Sequence, residues 1–406
     1  MRAPSGTTAL DSSKARDRST GRLLAVVPVE CRFEHMAVNQ RLRALLDVGD
    51  VDVIASYPDS IPRDITARCR IYRLPLSGRI SQSTVRRLTF SVEVVVWSAI
   101  QRARRQPYRV VYAIQDASAL AGMILQSSGT RCVVDVLDDP WLEMRNLEQQ
   151  GNWRRARLLK IRDRLTRRIL RSADLVTTVG SSDEDLLPAM LRERYGVDSH
   201  RILPLRQAID IRSIAASLGP PKRRSQPRKI FYVGWVSAAR GIDTLIAATD
   251  LLRSNGEQVE LRLAGWGDDD SRLRREIEDR RYVSYLGLLP SSMVRDEILD
   301  ADICCCPFPD RAELAPVQPV KMLEYLALGR PTVGSRLPGI AAVIEHERSG
   351  LLVTPGSAES LAKAFERILH DDQFAARLAE GARERAAEFD CVHINRHLQQ
   401  RIGAWL

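Results

Sequence analysis

The 406-residue chain contains no C-x-x-C pair, and its seven cysteines are scattered and odd in number. That excludes a disulfide framework or a zinc site as the organising feature, and a reducing cytoplasmic setting is expected. Cys304 to Cys306 are adjacent in an apolar, strand-like run, which reads as three small buried hydrophobes on alternating faces. Lysine is scarce too: there are six, so arginine supplies nearly all the positive charge behind a net +10. No apolar stretch reaches the roughly 20 residues needed to span a bilayer. The longest, Leu88 to Ile100, is interrupted by Glu93. The first apolar run, Leu23 to Val29, is short and closes at Glu30, so no secretory leader is expected. Zinc-finger spacing, RNA-binding signatures and aromatic-interleaved basic patches are all missing, so no nucleic-acid partner is expected. The surplus of arginine fits phosphate-bearing ligands or an anionic membrane surface.

What is present is alternation. Residues 1–20 read as a polar tail. From Gly21 onward, short apolar runs alternate with helical patterns: strands at Leu23–Val29, Val51–Ala55, Ile71–Leu74, Val110–Ile114, Cys132–Val136 and Leu175–Val179. Residues 218–228, dense in proline and positive charge, read as a linker, after which the alternation restarts with Ile230–Val233. Two α/β domains with parallel sheets follow, 21–217 and 229–388. A last helical stretch, 389–406, carries Cys391, Ile394, Leu398, Ile402 and Trp405 at helical spacing.

One stretch organises the second half: Pro319-Val-Lys-Met-Leu-Glu-Tyr-Leu-Ala-Leu-Gly-Arg-Pro331. Proline suits a helix start, and Gly329 with Pro331 suits its end. Lys321 and Glu324 then share a face near the helix N-terminus, where unpaired N–H groups and the dipole favour phosphate. A cation beside a diphosphate and a carboxylate beside a ribose would match a nucleotide-sugar. This stretch, with "KIFYVGWVSAARGIDTLIAATDLL", "VSYLGLLP", "ADICCCPF" and "SGLLVTPGSAESLAKAFERIL", resembles retaining glycosyltransferases of family 4, which have the GT-B fold. The resemblance implies two Rossmann-like domains facing a central cleft, with the C-terminal helix crossing back to the first domain. It also implies a donor of the UDP- or GDP-sugar type, a glycan, lipid-linked or small glycoside acceptor, and no metal cofactor.

Residue by residue, the resemblance places Arg240 and Lys321 on the diphosphate, with Gly234, Trp235, Gly241 and Val320 around it. Glu324 falls on the ribose, and Leu286 lies near the base. Trp235 stands where the family has a second basic residue, Pro316 where it often has a glutamate, and Leu137 where it often has a histidine. In the first domain, Asp138 and His35 are the candidates to meet the acceptor. Asp138 is equally suited to cap a helix. Asp268 to Asp270 form an Asp-x-Asp pattern that reads better as an acidic helix start than as a metal site.

The basic helix at about Asn152–Arg171 has an apolar stripe of Leu158, Ile161, Leu165 and Ile169, with arginine nearly everywhere else. Besides domain packing, such a helix suits peripheral contact with anionic lipid on the inner face of the plasma membrane. Three other readings stay open at this stage: a non-catalytic member acting as a scaffold, a sugar-nucleotide epimerase, and a dinucleotide-dependent oxidoreductase suggested by Gly265 and Gly267.

Overall fold

The computed structural model describes residues 21–28, 36–77, 83–104, 108–114, 119–126, 129–137, 153–180, 182, 184–215, 226–267 and 271–406. Two parallel sheets organise them. The first contains β1 (Arg22–Val27), β2 (Val51–Ala55), β3 (Arg70–Tyr72), β4 (Tyr108–Ile114), β5 (Arg131–Val136), β6 (Leu175–Val179) and β7 (Ile202–Leu205), in the order 3-2-1-4-5-6-7. The second contains β8 (Arg228–Val233), β9 (Val259–Ala264), β10 (Val283–Tyr285), β11 (Ile303–Cys306), β12 (Thr332–Ser335) and β13 (Leu351–Val353), in the order 10-9-8-11-12-13. In each sheet the order reverses beside the first strand, between β1 and β4 and between β8 and β11. Crevices that hold ligands in open α/β sheets form at such points, beyond the carboxyl ends of the strands.

β11, and β1 after Arg22, are apolar without interruption, as expected of strands covered on both faces. In β1, Leu23, Ala25 and Val27 enter one core while Leu24 and Val26 enter the other. In β11, Cys305 enters one core and Cys304 and Cys306 the opposite one; all three are fully buried, as the sequence implies. Burial pushes each of these thiols up, so none is a ready nucleophile.

Some boundaries differ from the sequence reading. β8 begins at Arg228, within the stretch read as linker; residues 218–225 of that stretch lie outside the described residues. Charge does not prevent pairing there, because Arg228 bonds Asp302 at 2.9 Å and Lys229 bonds Asp300. β7 escapes the sequence pattern because it is short and contains Pro204, which an edge strand tolerates. The basic helix runs Trp153–Ser172; among its described side chains Thr166, Ile169 and Leu170 are buried, and Leu165 is 41% exposed. Of the expected stripe, Ile169 packs on the β5–β6 layer and Leu165 does not, while the side chains of Leu158 and Ile161 lie outside those described.

The closing helix, Cys391–Gly403, lies on the first domain. Leu398 and Ile402 join the core built by Leu23, Val38 and Leu42. The attachment is also polar. Arg41, buried, donates from Nη1 to Asn395 Oδ1 at 2.7 Å, and its Nε stands 3.7 Å from Asp135 Oδ2. The hydroxyls of Tyr112 and Thr177 donate to the same carboxylate at 2.8 and 2.7 Å. Breaking a buried pair of this kind generally costs about 3–5 kcal/mol, because a charge is left without its partner. The last helix is therefore part of the first domain's core rather than an appendage.

Candidate functional site

The site is built at the reversal between β8 and β11. β8 ends in Val233, whose N–H donates to the Tyr325 hydroxyl at 3.0 Å. Tyr325 belongs to the helix Val320–Ala327, so the strand end and the helix are joined directly. That helix starts after Pro319 and ends at Ala327, and Gly329 just beyond its C-cap takes a φ of 62°. Pro319 lacks an N–H that the first helical turn would leave unpaired in any case.

Gly234 follows at φ 137°. A Cβ there would lie 2.2 Å from Lys321 Nζ, so only glycine lets the ammonium approach the strand end. The chain then makes a single tight turn, Ala238–Arg240, and closes it with Gly241 at φ 78°. A Cβ at Gly241 would sit 1.9 Å from the Pro307 carbonyl oxygen. The turn is thereby pressed against the end of β11, and Arg240 is carried over Phe308.

The cations converge as a result. Arg240 Cζ is 5.1 Å and Lys321 Nζ 5.8 Å from the centre of the Phe308 ring, and Lys321 Nζ is 4.1 Å from that of Tyr232. Ring faces attract both cations, but a ring supplies no negative charge. Glu324, one turn along the helix, is 5% exposed, and its Oε2 has no hydrogen-bond partner among the described residues. Burial pushes the Glu324 carboxyl up to about 8, against the pull of Arg295 and Lys321. Burial pushes the Lys321 ammonium down to about 8, and Arg240 adds to the push. Each group is held away from its ordinary ionisation by lost water and is left poised for a ligand.

These residues open into a cavity of about 580 Å³. Of the residues singled out in the sequence, Gly234, Trp235, Arg240, Val320, Lys321 and Glu324 line it. Gly241 lies beneath, packing the turn. Leu286 does not line it, contrary to expectation: it follows β10 and packs into the core, while Leu288 and Leu289 form that wall. The neighbouring Tyr285 hydroxyl donates to the Gly265 carbonyl at 2.8 Å, shaping another wall. Trp266, Phe308 and Gln318 also line the cavity and were not singled out. Only Phe308 had a signal, its place directly after the β11 run. Asp138, His35 and Asp268 to Asp270 lie outside the described residues.

Residues 227–371 match the family described as glycosyl transferases group 1, and residues 35–208 match the glycosyl transferase 4-like domain. The amylovoran biosynthesis glycosyltransferase AmsK of Erwinia amylovora is 28% identical over 181 residues, 43% of each chain. The alpha-D-kanosaminyltransferase of Streptomyces kanamyceticus is 26% identical over 206 residues, 50% of this chain and 45% of that one. The chain spans about half the length of the curated relatives it matches. Among solved structures, the sucrose-phosphate synthase of Thermosynechococcus elongatus superposes with a TM-score of 0.71 at 21% identity, covering 94% of this chain and 98% of that one. HepE of Anabaena, in complex with UDP-glucose, gives 0.65 at 16% identity, covering 94% and 99%. At these identities the likeness is one of fold.

The two ionisations make binding pH-dependent with a definite sign. A bound diphosphate favours charged Lys321 and raises its pKa above the value of about 8 that burial gives it. That stabilisation is complete below about 8 and is lost as pH rises through the bound-state value. Deprotonation of Glu324, also near 8, adds a repelling charge in the same range. UDP or GDP affinity, measured by calorimetry, is expected to weaken by about tenfold or more between about pH 7 and about pH 9.5. Lys321→Arg is expected to flatten the profile. An affinity constant across that range, or rising with pH, contradicts the assignment.

Proposed function

The chain belongs to the group 1 glycosyl transferases, family 4, with the GT-B fold, and from that premise we propose that it moves a sugar from a nucleoside-diphosphate sugar to a glycan, lipid-linked or small glycoside acceptor, with retention at the anomeric carbon. The observation that carries this reading is the pair of cations, Arg240 and Lys321, meeting over Phe308 beside the buried carboxyl of Glu324. A diphosphate supplies the negative charge the cations lack, and the adjoining ribose supplies hydroxyls to Glu324 Oε2. Half-exposed Trp235 and Trp266 offer flat faces for the base. A relative named for amylovoran biosynthesis supports a polysaccharide setting, and the HepE complex supports a UDP-sugar donor.

In the reaction, the bond between the anomeric carbon and the diphosphate oxygen breaks, and its electron pair leaves with the phosphate. The acceptor hydroxyl oxygen bonds to the same face of the sugar. Its proton passes to the departing phosphate oxygen, so no side-chain base is required. Charge grows on the diphosphate as the bond breaks, and Arg240, Lys321 and the first N–H groups of the Val320–Ala327 helix are placed to stabilise it. Arg240→Ala is expected to lower turnover of the matching sugar nucleotide by about 100-fold, read as nucleotide release, with melting temperature unchanged. Turnover near that of the parent protein would remove Arg240 from the site. A parent that binds sugar nucleotides without turning them over would indicate a binding protein instead.

We also propose that the Trp153–Ser172 helix meets anionic lipid. Arg164, Arg167, Arg168 and Arg171 line one shallow concavity beside exposed Leu165. Asp163 already engages Arg167, and Tyr195 accepts from Arg171, which leaves exposed Arg164 and Arg168 as the main contributors. Among the described residues no helix is long and apolar enough to cross a membrane. Each basic residue near such a surface contributes about 1 kcal/mol. Co-sedimentation with phosphatidylglycerol vesicles is expected to fall by about tenfold or more in R164E/R168E and to vanish at high salt. Equal sedimentation with phosphatidylcholine alone would rule the contact out.

A further inference from the structure

A second cavity, about 210 Å³, lies between the domains, walled by Gly180, Glu184 and Asp185 after β6 and by Pro316, Pro338 and Gly339 from the second domain. Among the described residues, Gln318 alone lines both this cavity and the larger one. It is 8% exposed, and its Oε1 has no hydrogen-bond partner among the described residues. A buried amide oxygen left without a partner is costly, and native interiors seldom keep one without a use.

The chain around it is poor in donors. Pro316 and Pro319 have no N–H, and the Val317 N–H is taken by the Leu314 carbonyl at 3.1 Å. The segment is also held firmly. Gly339 donates to the Ala315 carbonyl at 2.7 Å, and a Cβ on Gly339 would come within 2.2 Å of the Val317 carbonyl oxygen. A rigid wall therefore presents one amide at the junction of two cavities.

Resting on the donor-site reading above, we propose that Gln318 determines sugar specificity by bonding hydroxyls of the sugar being transferred, where it passes from donor to acceptor cavity. An amide both accepts and donates, so it matches a pair of neighbouring hydroxyls, and it adds no charge at a centre that becomes cationic. A site built to bond a hydroxyl discriminates more strongly than one that only fits its shape.

The test separates sugar from nucleotide. Calorimetry on the full chain compares UDP with UDP-glucose and UDP-galactose, and GDP with GDP-mannose, for the parent, Gln318→Met and Gln318→Glu. Both variants are close in volume to glutamine, and a thermal melt checks that each folds. The expected result is bare-nucleotide affinity within about twofold of the parent, with sugar-nucleotide affinity lower by about tenfold or more in both variants. Equal losses for sugar and bare nucleotide, or no loss in either variant, overturn the role of Gln318 while leaving the donor site in place. A parent that binds neither UDP nor GDP overturns the donor site as well, and this inference with it.

Discussion

A lysine ammonium drawn out of water at the end of a parallel sheet needs an anion, and the described residues around Lys321 offer it aromatic faces and a carboxyl that burial holds towards its protonated form. Much of the local architecture serves to hold that charge in place. Gly234 gives up its side chain so that the ammonium can approach β8. Gly241 lets the following turn press on Pro307 and deliver Arg240. Tyr325 ties the helix bearing Lys321 and Glu324 to the same strand. Two like charges near one ring repel each other, and a bound diphosphate would relieve both. The arrangement trades local stability for affinity, a pattern common at binding sites.

The fold was readable from the chain to the extent that burial on both faces of a parallel sheet produces uninterrupted apolar runs. Leu23–Val27 and Ile303–Cys306 announce themselves in this way. β7 does not, since Pro204 and its short length resemble a loop until an edge position explains them. Leu165 misleads in the opposite direction. It keeps helical spacing with Ile169, yet the layer that covers Ile169 also takes Thr166 and Leu170 and leaves Leu165 exposed. Periodicity names an apolar face only to within about a residue's rotation, and the neighbouring layer decides the rest.

The site divides along similar lines. Lys321, Glu324, Gly234 and Arg240 were readable because each sits at a strand end or a helix start, where local geometry restricts the residue type. Trp266 and Gln318 were not, because their importance comes from segments that meet only in three dimensions. Leu286 was placed near the base by the resemblance, but β10 ends at Tyr285 and Leu286 packs against the core, leaving the wall to Leu288 and Leu289. The first domain contributes the closing helix to the same logic. The buried Arg41–Asn395 contact joins residues 354 positions apart, Arg41 also reaches Asp135, and no local pattern signals either contact.

The most direct measurement of this account is a crystal structure of the chain with UDP or GDP bound. The account predicts diphosphate oxygens within about 3.2 Å of both the Arg240 guanidinium and Lys321 Nζ, and a ribose hydroxyl at the same range from Glu324 Oε2. A nucleotide bound elsewhere, or one whose diphosphate meets neither cation, would contradict it.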